Sequence, residues 1–288
     1  MGRPYAEVIG DPIAHSKSPL IHNFWLGKLG IDAEYRACHV KPDELKDYLT
    51  RRRGDAEWRG CNVTMPHKVA VGEFLEALSA QAYLVGAVNC ITPLDARLIG
   101  DNTDVDGVRE PLSLTSNRIE EYANHVATYV QIVGAGGAAR AAAVAVAEKF
   151  DFEFYNRDVA KAKRLAQDFG LPEWFGCELD CLGPIRNPGE EPAEQRYSTI
   201  VLNASAMGMR GNPPVPINLN TYHSDTIVFD MVYDPIETPL LREARRLGFR
   251  TIDGLAMLIA QAATAFEKFF GQSAPREHDA ELRALLTA

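Results

Sequence analysis

The segment Gly134-Ala135-Gly136-Gly137-Ala138-Ala139 places the strongest constraint on the fold. It matches G-x-G-x-x-[GA], follows the apolar run Tyr129-Val130-Gln131-Ile132-Val133 and opens an Ala-rich stretch. A glycine-rich turn between a strand and a helix lets the backbone bend tightly and approach a pyrophosphate. The free N–H groups at the positive end of the helix then meet the phosphate charge. The reading is therefore an α/β chain with a dinucleotide-binding domain.

The rest of the chain alternates short β-branched segments with longer Ala-, Leu- and charge-rich ones, as parallel strands and crossover helices do. Strands are expected at 6–10, 34–39, 59–63 and 87–94, with helices at 19–29, 42–52 and 73–81. A polar helix and connector spans 105–124. Strands then fall at 128–133, 151–155, 199–203, 226–231 and 250–252, with helices at 137–150, 159–169 and 239–247, and 184–192 reads as a surface loop. The last helix, 254–270, is too apolar to stand alone in water and must pack on a neighbour. The 288 residues suggest two domains, each able to bury its own core.

A net charge of −9, from 30 Lys and Arg against 39 Asp and Glu, argues against nucleic acid or an anionic membrane as the partner. The run Arg51-Arg52-Arg53 reads as a solvated helix face. No apolar run reaches the roughly 18 residues of a membrane span. The opening residues lack the long apolar core of a secretory signal, so a cytoplasmic protein is expected. Five scattered cysteines fit reduced thiols, and Cys177 and Cys181 lack the companion ligands of a zinc site. No metal is expected.

The residue that reads the adenosine ribose lies about 20 positions beyond the first glycine. Asn156-Arg157-Asp158 stand there. A guanidinium at this strand end pairs with the 2′-phosphate of NADP(H), whereas NAD(H) enzymes carry a carboxylate, so Arg157 favours NADP(H). Asp158 either orients Arg157 or repels the phosphate, and Lys161 adds a charge one helical turn on.

In the N-terminal half, polar residues gather at the expected strand ends: Ser16, Ser18, Asn62, Thr64, Lys68, Asn89 and 101–104. Hydroxyls and carboxamides both donate and accept, which suits a small polyhydroxylated ligand. The segments IGDPIAHSKSPLIHN (Ile9 to Asn23), NVTMPHK (Asn62 to Lys68), GAVN (Gly86 to Asn89), GDNTD (Gly100 to Asp104), GAGGAAR (Gly134 to Arg140), NR (Asn156, Arg157) and DGLAMLIAQAA (Asp253 to Ala263) occur in this order. Together they resemble the shikimate dehydrogenase family.

The resemblance implies NADP-dependent interconversion of 3-dehydroshikimate and shikimate. It implies an N-terminal α/β substrate domain, 1–104 with 254–288, and a Rossmann-type domain, 105–253, with the C-terminal helix returning to the first. Lys68 and Asp104 would be the catalytic pair, and Ser16, Ser18, Asn62, Thr64, Asn89, Tyr233 and Gln261 would hold the substrate. Gly134, Ala135, Gly136, Gly137, Ala138, Asn156, Arg157, Asp158, Lys161, Gly254 and Met257 would hold the cofactor. The protein would act as a monomer or homodimer. His15 and His67 adjoin the motifs and read as structural. Two positions depart from the family pattern: Val105 stands where a glycine is usual, and Asp158 where a hydroxyl residue is. The rival readings are a quinate dehydrogenase using NAD, a ligand-sensing relative without turnover, and a folate-linked dehydrogenase of similar plan.

Overall fold

A computed structural model describes residues 2–116, 128–184 and 198–288. The chain divides into two compact units, Met1–Gly107 with Ile259–Ala288, and Val108–Leu258.

The first unit begins with strand β1 (Tyr5–Gly10), helix α1 (Ser18–Leu29), β2 (Glu34–His39), α2 (Leu45–Arg53) and β3 (Trp58–Val63). Short strand β4 (Ala77–Leu78), α3 (Ala80–Val85), β5 (Cys90–Leu94) and β6 (Arg97–Asp101) follow, and α4 (Asp104–Ser116) leads out of the unit. The sheet order is β2-β1-β3-β5-β6-β4. Side chains alternate across it, as a strand period of two requires. Tyr5, Ile9, Cys61 and Val63 pack on one face with Tyr48 and Leu49 of α2, while Ala6, Val8, Tyr35 and Cys90 line the other.

The sheet is not wholly parallel. β5 runs antiparallel to both β3 and β6. The β5–β6 link is a two-residue hairpin at Asp95-Ala96, with φ of 48° and 64°. Such a turn needs positive φ at both central residues and usually announces itself as Asn-Gly, so Asp-Ala gave little signal. The helix expected at 73–81 is replaced by a 3-10 turn (Ala70–Phe74), β4 and α3. Ser79 stops any earlier helix by accepting the Ala82 N–H at 3.1 Å as N-cap of α3. The helix expected at 42–52 opens instead with a 3-10 turn at Pro42–Glu44.

The second unit holds β7 (Thr128–Val133), α5 (Gly137–Val146), β8 (Asp151–Asn156), α6 (Val159–Asp168), β9 (Gly176–Glu178), β10 (Ser198–Asn203), β11 (Ile227–Asp230), α7 (Pro239–Arg246), β12 (Arg250–Ile252) and the first turn of α8 (Gly254–Phe270). Its strands are all parallel, in the order β12-β11-β10-β7-β8-β9. Val130, Ile132, Phe154, Ile200, Leu202 and Phe229 pack on one face with the alanines of α5, and Val133, Val201 and Val228 pack on the other with Leu240 and Leu241 of α7. This is the doubly wound arrangement expected from the glycine turn. The Ala-rich helix ends at Val146 rather than 150. The connector beyond 116 and the loop 185–192 lie outside the described residues.

From Ile259 onward α8 belongs to the first unit, as does the last helix, α9 (Asp279–Thr287), which the sequence pattern did not suggest. Ala265 and Phe269 of α8 pack on the sheet face carrying Val8 and Tyr35. Gly60 of β3 makes this possible, because a Cβ there would lie 2.7 Å from the Phe269 ring. The apolar face of the last long helix thereby gains its neighbour. None of the five cysteines is disulfide-bonded.

Ala96 holds a left-handed conformation that disfavours any Cβ. The variant Ala96→Gly is expected to stabilise the protein by about 0.5–1 kcal/mol, read as a higher urea midpoint at unchanged slope.

Candidate active site

Asn62 at the end of β3 stands opposite Cys90 of β5, and Cys90 stands opposite Asp101 of β6. Because β5 is antiparallel to its neighbours, this one line across the sheet joins three chain reversals: 62–68, 86–90 and 101–104. Backbone bonds fasten them. The Val63 N–H donates to the Asn89 carbonyl at 2.8 Å, the Asn89 N–H to Asp101 at 3.0 Å, and the Val88 N–H to the Lys68 carbonyl at 2.7 Å.

Lys68 and Asp104 meet there. The Lys68 Nζ donates to Asp104 Oδ2 at 2.6 Å, with the two side chains 30% and 12% exposed. The other carboxylate oxygen, Oδ1, accepts from Asn89 Nδ2 at 2.8 Å. Asn89 is itself clamped, since its Oδ1 accepts the Thr103 N–H at 2.7 Å. Asn102 turns the chain by accepting the Asp104 N–H at 3.1 Å and donating to the Ala87 carbonyl at 2.9 Å. Thr103 Oγ1 donates to Gln261 Oε1 of α8 at 3.4 Å. Lys68, Asn89, Asp104 and Gln261 thus form one connected polar group. Val105 is fully buried in the first turn of α4, and the Gly107 N–H reaches the Thr103 carbonyl at 3.0 Å. The helix starts at Asp104 without needing a glycine after it.

Thr64 lies against β1, its N–H donating to the Ile9 carbonyl at 3.0 Å. Ser16 and Ser18 open α1, where the Ser18 N–H donates to Ser16 Oγ at 3.3 Å. Lys17 between them turns away and donates to the Leu286 carbonyl of α9 at 2.6 Å. The serine hydroxyls, not an ammonium, are the groups this loop offers. Asn62 Oδ1 accepts the Tyr35 hydroxyl at 2.7 Å, a buried contact that Tyr35, a lone aromatic in a short strand, did not signal. His67 is buried, with Nε2 2.7 Å from the Val40 carbonyl, and His15 is exposed. Among the described residues no group of three His, Cys, Asp or Glu side chains is placed to hold a metal ion.

In the second unit the glycine turn sits where β7 adjoins both β8 and β10, the point at which strand order reverses. Gly134 has φ of 128°, and a Cβ there would lie 2.9 Å from the Ala204 carbonyl oxygen. Gly136, the N-cap of α5, has no side chain to satisfy the first-turn N–H groups, and Cβ atoms at Gly136 or Gly137 would meet open space. A cavity of about 90 Å³ joins Gly134 to Asn156, Arg157, Ser205, Ala206, Met207 and Asn212. Ala135 and Ala138 pack partly against the adjacent core. Ser205, Ala206, Met207 and Asn212 were missed from sequence, although Asn203-Ala204-Ser205 directly after an apolar strand is a polar strand-end signal.

Asp158 neither pairs with Arg157 nor stands idle. It is the N-cap of α6, accepting the Lys161 N–H at 3.4 Å, and its other oxygen lies 3.6 Å from Lys161 Nζ. Arg157 is exposed and has no ion-pair partner among the described residues. Lys161 therefore has a carboxylate beside it, whereas Arg157 has none. Tyr233, Gly254 and Met257 belong to this unit rather than to the one carrying Lys68. A Cβ on Gly254 would lie 2.5 Å from the Met231 and Val232 carbonyl oxygens, so helix and strand end meet backbone to backbone.

Since Gly134 combines a positive φ with that close approach, Gly134→Ala is expected to lower unfolding free energy by about 1–3 kcal/mol, measured by denaturant titration.

A family profile described as Shikimate dehydrogenase substrate binding domain matches residues 8–91, and one described as Shikimate 5'-dehydrogenase C-terminal domain matches residues 254–281. The chain is 45% identical over 288 residues to a Shikimate dehydrogenase (NADP(+)) of Sphingopyxis alaskensis, covering 99% of this chain and 97% of that one. Shikimate 5-dehydrogenase from Thermus thermophilus, solved in complex with NADP(H) and shikimate, is similar in structure with a TM-score of 0.77 at 31% identity, covering 98% and 99% of the two chains. The ligand-free 5-ketofructose reductase of Gluconobacter sp. strain CHM43 shares the fold with a TM-score of 0.84 at 29% identity, covering 99% of each. Near-complete coverage at this identity, with both family profiles at their expected ends, makes the chain a member of the shikimate dehydrogenase family.

Proposed function

We infer that this protein catalyses the reversible NADPH-dependent reduction of 3-dehydroshikimate to shikimate, the activity of EC 1.1.1.25. The carrying observation is the Lys68–Asp104 pair at 2.6 Å, with the Asn89 carboxamide on Asp104, a polar set suited to a polyhydroxylated ligand. The substrate domain corresponds to the first unit, Met1–Gly107 with Ile259–Ala288, and the NADP domain to the second, Val108–Leu258, so the boundaries expected at 104/105 and 253/254 each move a few residues on. The substrate carboxylate is held by Ser16 and Ser18, and its ring hydroxyls by Asn62, Thr64, Asn89 and Gln261.

NADPH, when bound, supplies the hydride. Lys68 supplies the proton: its ammonium stabilises charge growing on the carbonyl oxygen, passes one proton to it and is left neutral. Partial exposure of Lys68 lets solvent restore that proton. Asp104 keeps the ammonium aimed and accepts a substrate hydroxyl, while Asn89 prevents its carboxylate from rotating. In the oxidative direction the same lysine, neutral, receives the hydroxyl proton.

The second unit fits a phosphorylated dinucleotide. The approach at Gly134, the open backbone at Gly136 and Gly137, and the uncapped α5 N-terminus suit a pyrophosphate. Arg157 and Asn156 suit a 2′-phosphorylated ribose, with Gly254 and Met257 toward the nicotinamide. The protein acts in the cytoplasm as a monomer or homodimer, without nucleic-acid or membrane partners. Its acidic charge argues against nucleic acid and anionic membranes as partners.

Kinetics with shikimate and quinate, each with NADP and NAD, test the assignment. Highest kcat/KM is expected for shikimate with NADP, and equal use of quinate or of NAD would overturn that part. Lys68→Ala should lower kcat by roughly 10²- to 10⁴-fold with a much smaller change in KM, and near-normal turnover would remove Lys68 from the chemistry. Replacing Arg157 with Ala should weaken NADP binding by about 10-fold or more while sparing NAD, as loss of a charged hydrogen bond to one phosphate does, read by calorimetry.

A further inference from the structure

Asn62 has a carboxamide whose two ends are held by different partners. Its nitrogen donates to the Asn89 backbone carbonyl at 3.2 Å, and its oxygen accepts the Tyr35 hydroxyl at 2.7 Å. A carbonyl only accepts, so the nitrogen must face Asn89, and the oxygen must then face Tyr35. If the amide turned over, two acceptors would oppose each other at Asn89. An amide nitrogen carries two N–H groups, and one of them is used at Asn89. The other is the group that Asn62 presents.

Tyr35 is immobile for reasons visible in its surroundings. It is 2% exposed, within the cluster formed by Ala6, Val8, Cys90, Ala265 and Phe269. Its ring stacks on His22 with centroids 4.0 Å apart and planes 5° from parallel. His22 is fully buried in α1, and neither of its ring nitrogens has a hydrogen-bond partner. Burial pushes its pKa down to about 3, so the ring is neutral and acts as an aromatic plate. Trp25 and Phe266 close the cage around it. Phe269 also meets the Tyr35 ring, and it lies on the helix that carries Gln261.

We propose that Tyr35 is a positioning residue of the substrate site: its hydroxyl, fixed by the His22 stack, locks the Asn62 carboxamide so that an N–H, and not the carbonyl oxygen, is offered to an acceptor oxygen of the substrate. The proposal deepens the functional reading above and rests on Asn62 touching shikimate. Tyr35 itself touches neither substrate nor cofactor, so its removal affects substrate affinity and leaves the proton transfer at Lys68 intact.

The test is a double-mutant cycle with Tyr35→Phe, Asn62→Ala and the pair, measured with shikimate and NADP. Tyr35→Phe is expected to raise KM for shikimate by about 3- to 10-fold, the change that corresponds to one neutral hydrogen bond, with kcat within about 2-fold and KM for NADP unchanged. On the Asn62→Ala background the same change should have no further effect on KM, since Tyr35 acts through the amide. Full additivity of the two changes, or an equal fall in kcat, would overturn the positioning role. Asn62→Asp keeps Tyr35 in place and removes the N–H. It should raise KM for shikimate at least as much as Asn62→Ala, and wild-type KM in Asn62→Asp would overturn the donor assignment even if Tyr35→Phe does not fold. An unchanged KM in Asn62→Ala would instead remove Asn62 from the substrate site, and the proposal with it. The shikimate activity and the Lys68 result would then still stand.

Discussion

The antiparallel placement of β5 between β3 and β6 is the constraint on which the first unit's chemistry depends. In a parallel sheet, successive strand ends on one edge are separated by crossovers, and a residue just before a strand starts at the opposite edge. Reversing β5 brings its beginning to the edge where β3 and β6 end. Asn89, just before β5, is thereby set between Asn62 and Asp101, with Lys68 and Asp104 on the adjoining turns. Its backbone links the two neighbouring strands while its side chain holds Asp104 and Thr103. One residue thus couples sheet register to the geometry of the ion pair.

Local charge placement explains how an acidic chain accommodates anionic ligands. At the start of α1 in the first unit, Lys17 is directed onto the end of α9 and the hydroxyls of Ser16 and Ser18 remain. At the end of β8 in the second unit, Asp158 is occupied as a helix cap and counter-ion to Lys161, and Arg157 is left without an ion-pair partner among the described residues. Ion pairs this exposed contribute little to stability, so their value lies in which charge they leave available. The net charge of −9 is a property of the whole surface and says little about either local arrangement.

Legibility in the sequence varied with the range of the forces involved. The second unit was readable nearly strand by strand, because a parallel sheet buried on both faces demands continuous apolar runs and its helices carry a strong period. Between 70 and 101 the reading was partial: the strand expected at 87–94 is present as β5, but β4, α3 and β6 were not foreseen. Strands as short as β4 and turns such as Asp95-Ala96 have no pattern of their own and exist because neighbouring strands pair with them. The motif residues were conspicuous as polar clusters at strand ends, but Tyr35 and Ser205 were not, since each works through a bond to a residue distant in sequence or across a turn.

The sequence by itself determined the glycine turn, the strands and helices that follow it, the polar clusters and the need of the final helix for a partner. These follow from local sterics, side-chain period and hydrophobicity, all written in neighbouring residues. Only the tertiary structure decided that β5 reverses, that Lys68 and Asp104 lie 2.6 Å apart, that Asp158 caps a helix and that Tyr35 grips Asn62. Each of those is a contact whose partner lies on another element, and its geometry exists only once the sheets and helices have packed.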